Sequence, residues 1–160
     1  MRLSGAVRRH GVSAVETAIV LSVLLILLGG LIAGGTGAFR HQQVQCLACE
    51  GARWASTRAG DYQKDTAGPS PTAQQITDAA VLPKAVGIAP ADLNVRVEWV
   101  DRSTGAVWDW DAAPKDVRSV TSSGEYVSNA VRVTVTYVWS PGVIWGQKVI
   151  GSVCELPLSN

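Results

Sequence analysis

Arg8-Arg9-His10-Gly11-Val12-Ser13-Ala14-Val15-Glu16 runs straight into an uncharged stretch from Thr17 to Phe39. Those 23 residues make a helix of about 34 Å at roughly 1.5 Å per residue, enough to cross a hydrocarbon core of about 30 Å. Glu16 stands at the head of the span, five positions after Gly11. A charge costs less there than at the bilayer centre, yet an ionisable group beside an apolar span needs a partner and marks a functional position. Arg2, Arg8 and Arg9 precede the span and no acid does before Glu16. The N-terminal arm is therefore expected to stay in the cytoplasm and the long C-terminal part to cross.

An ordinary secretory signal fits this pattern less well. The apolar run is longer than a typical signal-peptide core, and only Ala33-Gly34-Gly35 and Thr36-Gly37-Ala38 approach a small-residue exit. The Arg8-Arg9 pair is followed by His10-Gly11 rather than by the entry to an apolar core, which argues against a twin-arginine signal.

Gly11 with Glu16 at the fifth position beyond it, behind a short basic leader, resembles the cleavage site of type IV prepilins. Cys49-Glu50-Gly51-Ala52-Arg53-Trp54-Ala55-Ser56 is similar to the E-G-A-R-x-A segment that follows the membrane helix in the TadE-like pseudopilins of tight-adherence (Flp-type) pili. Val131-Arg132-Val133-Thr134-Val135-Thr136-Tyr137 resembles that family's closing strand, and Gly151 to Asn160 its tail. The resemblance covers roughly residues 6 to 60 well and 130 to 160 loosely. Thr17 stands where the major pilins of this class have Tyr or Phe, and the chain is far longer than a major Flp subunit, so the likeness is to a minor pseudopilin.

The resemblance implies a basic leader at 1–11, a transmembrane and assembly helix at 12–39, and an extracytoplasmic domain at 40–160. It implies cleavage between Gly11 and Val12 by a prepilin peptidase. Glycine suits a cut made close to an enzyme's backbone, since it has no side chain to obstruct approach. Losing Arg2, Arg8 and Arg9 from 14 basic residues leaves 11 against 13 acidic ones, a formal charge of −2 before termini are counted. Glu16 of one subunit is then expected to pair with the new Val12 ammonium of a neighbour, because a charge in apolar surroundings is tolerable when paired. The expected partners are the peptidase, other pilin or pseudopilin subunits, the inner-membrane assembly platform and membrane lipid. The expected location is the bacterial inner membrane, single-pass with the N-terminus cytoplasmic, and after processing the pilus or the extracellular face. The alternative is an unprocessed single-pass envelope scaffold or binding protein, in which Glu16 is an interfacial residue wetted by headgroups.

Within the span, Gly30 and Gly34 form a small-xxx-small pair that lets helices approach closely in lipid, or that loosens the helix's outer end. Beyond it, Arg40 to Gly60 reads as a continuing helix with Val44, Leu47, Ala48 and Ala52 on one face and Gly60 as its stop. After a Pro, Ser and Gly loop, a second helix is expected from about Ala73 to Lys84, turning Ile76, Ala79, Ala80 and Val81 to one side until Pro83 limits it.

Past Pro90 the period becomes two. Leu93, Val95, Val97 and Trp99 alternate with polar residues, and Arg102-Ser103-Thr104-Gly105 reads as a turn into a hairpin partner at Ala106 to Asp111. Val131 to Trp139 alternates most clearly, with a final strand near Gln147 to Leu156 returning across Ser140-Pro141-Gly142. Trp99, Trp108, Trp110 and Trp139 are expected to share one sheet face, while Trp145 lies in a loop as a candidate contact. The fold class is α+β: a long N-terminal helix whose outer half packs on a small antiparallel sheet, as in pilin-like proteins.

Cys46 and Cys49 form a lone C-x-x-C on a helix, without the second pair or the histidines of a zinc site and without the βαβ setting of a redox motif. In an oxidising compartment a bridge from Cys154 to Cys46 or Cys49 is expected, Cys49 slightly favoured. The histidines are His10 and His41, neither placed to serve a nucleophile, and Asp101, Asp109, Asp111 and Asp116 fall at turns and on polar faces. No enzyme activity, cofactor, metal or nucleic-acid partner is expected; there is no phosphate loop and no basic stripe.

Overall fold

Val44, Leu47, Ala48, Gly51, Ala52 and Ala55 recur at intervals of three and four, and they form the fully covered stripe of a long helix. The computed structural model describes residues 7–66, 68–140 and 146–159. Helix α1 is Val7–Ser56. The chain divides into two units, Met1–Phe39 and Arg40–Asn160.

In the first unit α1 is apolar and uncovered, with Ile26 and Leu31 each 74% exposed. It is long and apolar enough to cross a membrane. The hydroxyls of Thr17, Ser22 and Thr36 donate to carbonyls one turn back, those of Ser13, Ala18 and Ile32, at 2.8, 2.8 and 3.0 Å. The helix thus satisfies these three polar groups from its own backbone, as a solvent without water requires.

The second unit is built on a four-stranded antiparallel sheet of order β2-β1-β5-β6, where β1 is Leu93–Val100, β2 Val107–Asp109, β5 Ala130–Trp139 and β6 Lys148–Pro157. Val95 pairs with Val135 and Val97 with Val133, so period-two residues of neighbouring strands meet on one face. α1 lies on that face at very short range: a Cβ built on Gly51 would stand 3.2 Å from Val81 Cγ2 and 3.3 Å from Val133 Cγ1. The long-helix-on-sheet, α+β arrangement read from the sequence is the one observed.

The departures are local. α1 ends at Ser56, and a turn leads into a helix the pattern did not announce, α2, Gly60–Thr66. Gly60 therefore starts an element rather than stopping one. Its backbone N–H donates to Lys115 O at 2.9 Å, and a Cβ there would lie 2.7 Å from the same oxygen. Helix α3, Ala73–Ile76, is capped by Thr72 in a capping box with Gln75, then widens to a π turn over Thr77–Val81 and tightens over Leu82–Lys84. In a π turn the residue beneath Ile76 is five positions on, so Val81 is buried with Ile76 and Ala80, while Ala79 faces outward. Trp108, opposite Trp99 on the three-residue edge strand, is 51% exposed and does not join Trp99 and Trp110 in the core; a short outer strand has too little cover for a second indole. A further hairpin, β3 Arg118–Val120 with β4 Tyr126–Ser128, was not foreseen. The expected Ser140-Pro141-Gly142 turn lies largely outside the described residues, as does Trp145.

Candidate functional site

Gly11 and Val12 lie within the helical backbone of α1, so the peptide bond between them is reached by a protease only after that turn unwinds. Glycine is where unwinding is cheapest, about 1 kcal/mol easier than at alanine. Glu16 is exposed, four residues after Val12. At that spacing the two side chains lie on one helix face, a single turn apart. An amino terminus created at Val12 would come within about 6 Å, measured along the axis, of its own carboxylate and of any neighbour's placed in register.

Gly30 and Gly34 share a face by the same spacing. A Cβ on either meets nothing within 4 Å, so the notch they form is open.

The Glu50-Gly51-Ala52-Arg53 segment has a physical account in the second unit. Glu50 pairs with Lys84 Nζ at 2.6 Å, and the Lys84 hydrogen bond and charge hold its carboxyl below the usual range. Gly51 makes the close approach to Val81 and Val133, Ala52 is fully buried, and Arg53 is exposed. Gln43 Nε2 adds a bond to Val86 O at 2.7 Å. The segment is a docking strip: acid to lysine on one flank, a missing side chain at the tightest crossing, and a small residue beside it. Gly51→Ala forces neighbours to give by a few tenths of an ångström, which makes glycine a packing requirement there.

The cysteines sort by position. Cys46 is exposed, whereas Cys49 and Cys154 are both partly buried. Cys154 pairs across strands with Val133, the residue that Gly51 touches, and its thiol neighbours that of Cys49. Burial, reinforced by Cys49, pushes the Cys154 thiol up to about 12. All three are free thiols in this structure, and Cys49 rather than Cys46 is the neighbour of Cys154.

The acidic residues that cluster in sequence serve turns. Asp101 accepts from Ser103 N and Oγ at 2.8 and 2.7 Å and from Thr104 Oγ1 at 2.9 Å, closing the β1–β2 hairpin. Asp111 accepts from Ala73 N at 2.9 Å at the start of α3, and Asp109 from Asp111 N at 3.2 Å. Among the described residues no group of three or more metal-capable side chains comes together. Asn129, which sequence reasoning passed over, is a buried hub: its amide donates to Asp116 O and Ser119 Oγ and accepts from Arg102 N. A lone Asn before an alternating apolar run was its only signal.

Residues 11–53 match the family model described as TadE-like protein. Over that stretch the chain is TadE-like. The match begins at Gly11 and ends at Arg53, so it takes in Glu16, the whole apolar span and the docking strip. The match is consistent with a protein of tight-adherence pili, and the exposed apolar helix fits membrane anchoring. The likenesses at Val131–Tyr137 and in the tail fall outside it. No curated protein and no solved structure matches the chain.

Proposed function

We propose that this chain is a non-enzymatic minor pseudopilin, cut after Gly11 by a prepilin peptidase and used in assembling a tight-adherence pilus. The observation that carries the reading is a TadE-like segment in which Gly11, Val12 and Glu16 head an apolar helix whose Leu, Ile and Val side chains are exposed among the described residues. Before cleavage the basic leader holds the N-terminus in the cytoplasm, and the single span anchors the protein in the inner membrane. Cleavage removes that basic hold on the cytoplasmic side and creates an ammonium at Val12. The helix can then be drawn from lipid into a bundle of neighbouring helices, where Glu16 pairs with a neighbour's amino terminus and the Gly30/Gly34 notch admits close contact. The domain from Arg40 onward stays folded on its own sheet throughout and faces the outside.

Mass spectrometry of the protein purified from its membrane decides between this and an unprocessed envelope scaffold. A mature chain beginning at Val12 supports the pseudopilin; an intact leader in a strain that makes pili overturns it. Glu16→Ala is expected to leave membrane insertion unchanged and to reduce assembled pili sharply. Normal pili in that strain would rule out the pairing mechanism.

A further inference from the structure

A cleft of about 550 Å³ opens beside the end of α1, within the range of roughly 300–1,000 Å³ common for ligand sites. Trp54 and Arg58 come from the end of α1 and the turn after it, Tyr62 from α2, Pro69 and Pro71 from the loop, and Gln75, Asp78 and Ala79 from α3 and its π turn. None of these serves the proposed assembly helix. Two features the sequence did not announce, α2 and the π turn that swings Ala79 outward, supply two of its walls.

The polar groups are held in place before any ligand arrives. Arg58 lies over the Trp54 ring at 4.3 Å from its centroid and donates to Trp54 O and Thr57 Oγ1, each at 3.3 Å. Gln75 Oε1 is fixed by Thr72 N at 2.9 Å, which leaves the amide nitrogen as the end that can donate elsewhere. Asp78 Oδ1 is fixed by Gln74 Nε2 at 2.9 Å. Pro71 is anchored from below by the buried Trp110 indole, whose Nε1 donates to Pro71 O at 2.8 Å. Such preorganisation lowers the cost of binding.

The chemistry of the described lining narrows the ligand. One guanidinium and one carboxylate balance, which favours an uncharged molecule. The Tyr62 ring and Pro69 offer an apolar face, beside a Trp54 ring that already carries Arg58. Arg58 and Gln75 offer donors while Asp78 offers only acceptors, so the ligand must both accept and donate around its rim. A proline-rich peptide, the other common occupant of aromatic and proline walls, brings carbonyl acceptors but no backbone N–H at proline, and would set acceptor against acceptor at Asp78. A pyranose has an apolar C–H face and hydroxyls that donate and accept. We propose that this cleft binds a neutral saccharide, its apolar face on the aromatic and proline wall and its hydroxyls shared between Arg58, Gln75 and Asp78.

The test uses the full chain in phospholipid nanodiscs, so that no sugar-headed detergent competes. It is screened on an array of neutral hexose and N-acetylhexosamine oligosaccharides, with decaproline as a competing probe, and the best binder is titrated by calorimetry. Retention of a neutral oligosaccharide is expected, weakened about tenfold by Asp78→Ala, since a hydrogen bond to a charged group is lost. Asp78 is exposed, so that variant should keep the wild-type melting temperature. Trp54→Ala should abolish binding; because Trp54 also packs on the core, its melting curve is recorded alongside and Tyr62→Ala serves as the second aromatic deletion. The proposal is overturned if no neutral saccharide is retained, if the affinity is indifferent to Asp78→Ala and Tyr62→Ala, or if decaproline binds at the cleft instead.

Discussion

The two halves of α1 share small and aliphatic residues, the first nearly uncharged and the second amphipathic, and they are opposite in circumstance. From Val12 to Phe39 the helix carries Leu, Ile and Val in the open, and a Cβ on Gly29, Gly30, Gly34 or Gly35 would meet nothing; from Val44 to Ala55 the stripe of Val, Leu, Ala and Gly is closed against strands. An apolar surface this long left uncovered in a single chain has to be covered by lipid or by other helices. The closed half shows what the same small residues do once a partner exists: Gly51 brings α1 onto Val133, as Gly30 and Gly34 would bring another helix.

The largest expected break in this contrast comes from leucines. Leu47→Ala should destabilise the outer domain by about 2–5 kcal/mol, while Leu27→Ala, at a 66% exposed position, should leave its unfolding unchanged. Urea unfolding of the full chain in nanodiscs, followed by tryptophan emission, reads both; equal shifts would show that the halves do not differ as described. The next effect is oxidative. A Cys49–Cys154 bridge would form with loss of two protons and two electrons to a disulfide-donating oxidant and should stabilise the domain by about 2–4 kcal/mol. Non-reducing peptide maps should lose that bridge in Cys49→Ser and keep it in Cys46→Ser; three free thiols in protein from an oxidising envelope would sink it.

Gly51→Ala should cost about 1–3 kcal/mol through overpacking. Gly30→Ala and Gly34→Ala should leave unfolding unmoved and show their effect, if those helices pack in the fibre, only as fewer pili. The smallest effect is electrostatic and confined to the outer half's sheet. Partial burial pushes the Asp101 carboxyl up, but hydrogen bonds from the Ser103 hydroxyl and backbone, Thr104 and Ser119 outweigh it and hold the group at about 2 against an ordinary 3.8. A depressed carboxyl stabilises the fold above its unfolded value and loses that contribution as pH falls through its folded one. The stability difference between wild type and Asp101→Ala should therefore be full above about pH 4 and shrink towards pH 2.

Legibility followed the length of the pattern. β1 and β5 were read nearly to their ends because alternation over eight to ten residues is a strong signal, and β6 was read as the strand returning beside β5. β3 and β4 were missed because three residues cannot show a period, although Thr121-Ser122-Ser123-Gly124 marks the turn between them. Trp108 was misplaced for a related reason: alternation gives the face of a residue but not whether anything covers that face at the sheet's edge. The saccharide cleft could not be read at all, since its lining is gathered from four elements.

By itself the sequence determined the long apolar stretch, the basic residues before it, the Gly11 to Glu16 spacing, and the apolar stripe and alternating strands. These rest on short-range rules: the rise of a helix, the cost of a charge in lipid, and the periods of helix and strand. Only the tertiary structure decided that Cys49 and not Cys46 meets Cys154, that Gly51 is the point of closest approach, and that the π turn exposes Ala79 beside Trp54. Those depend on which distant residues arrive at the same place, and no local period carries that information.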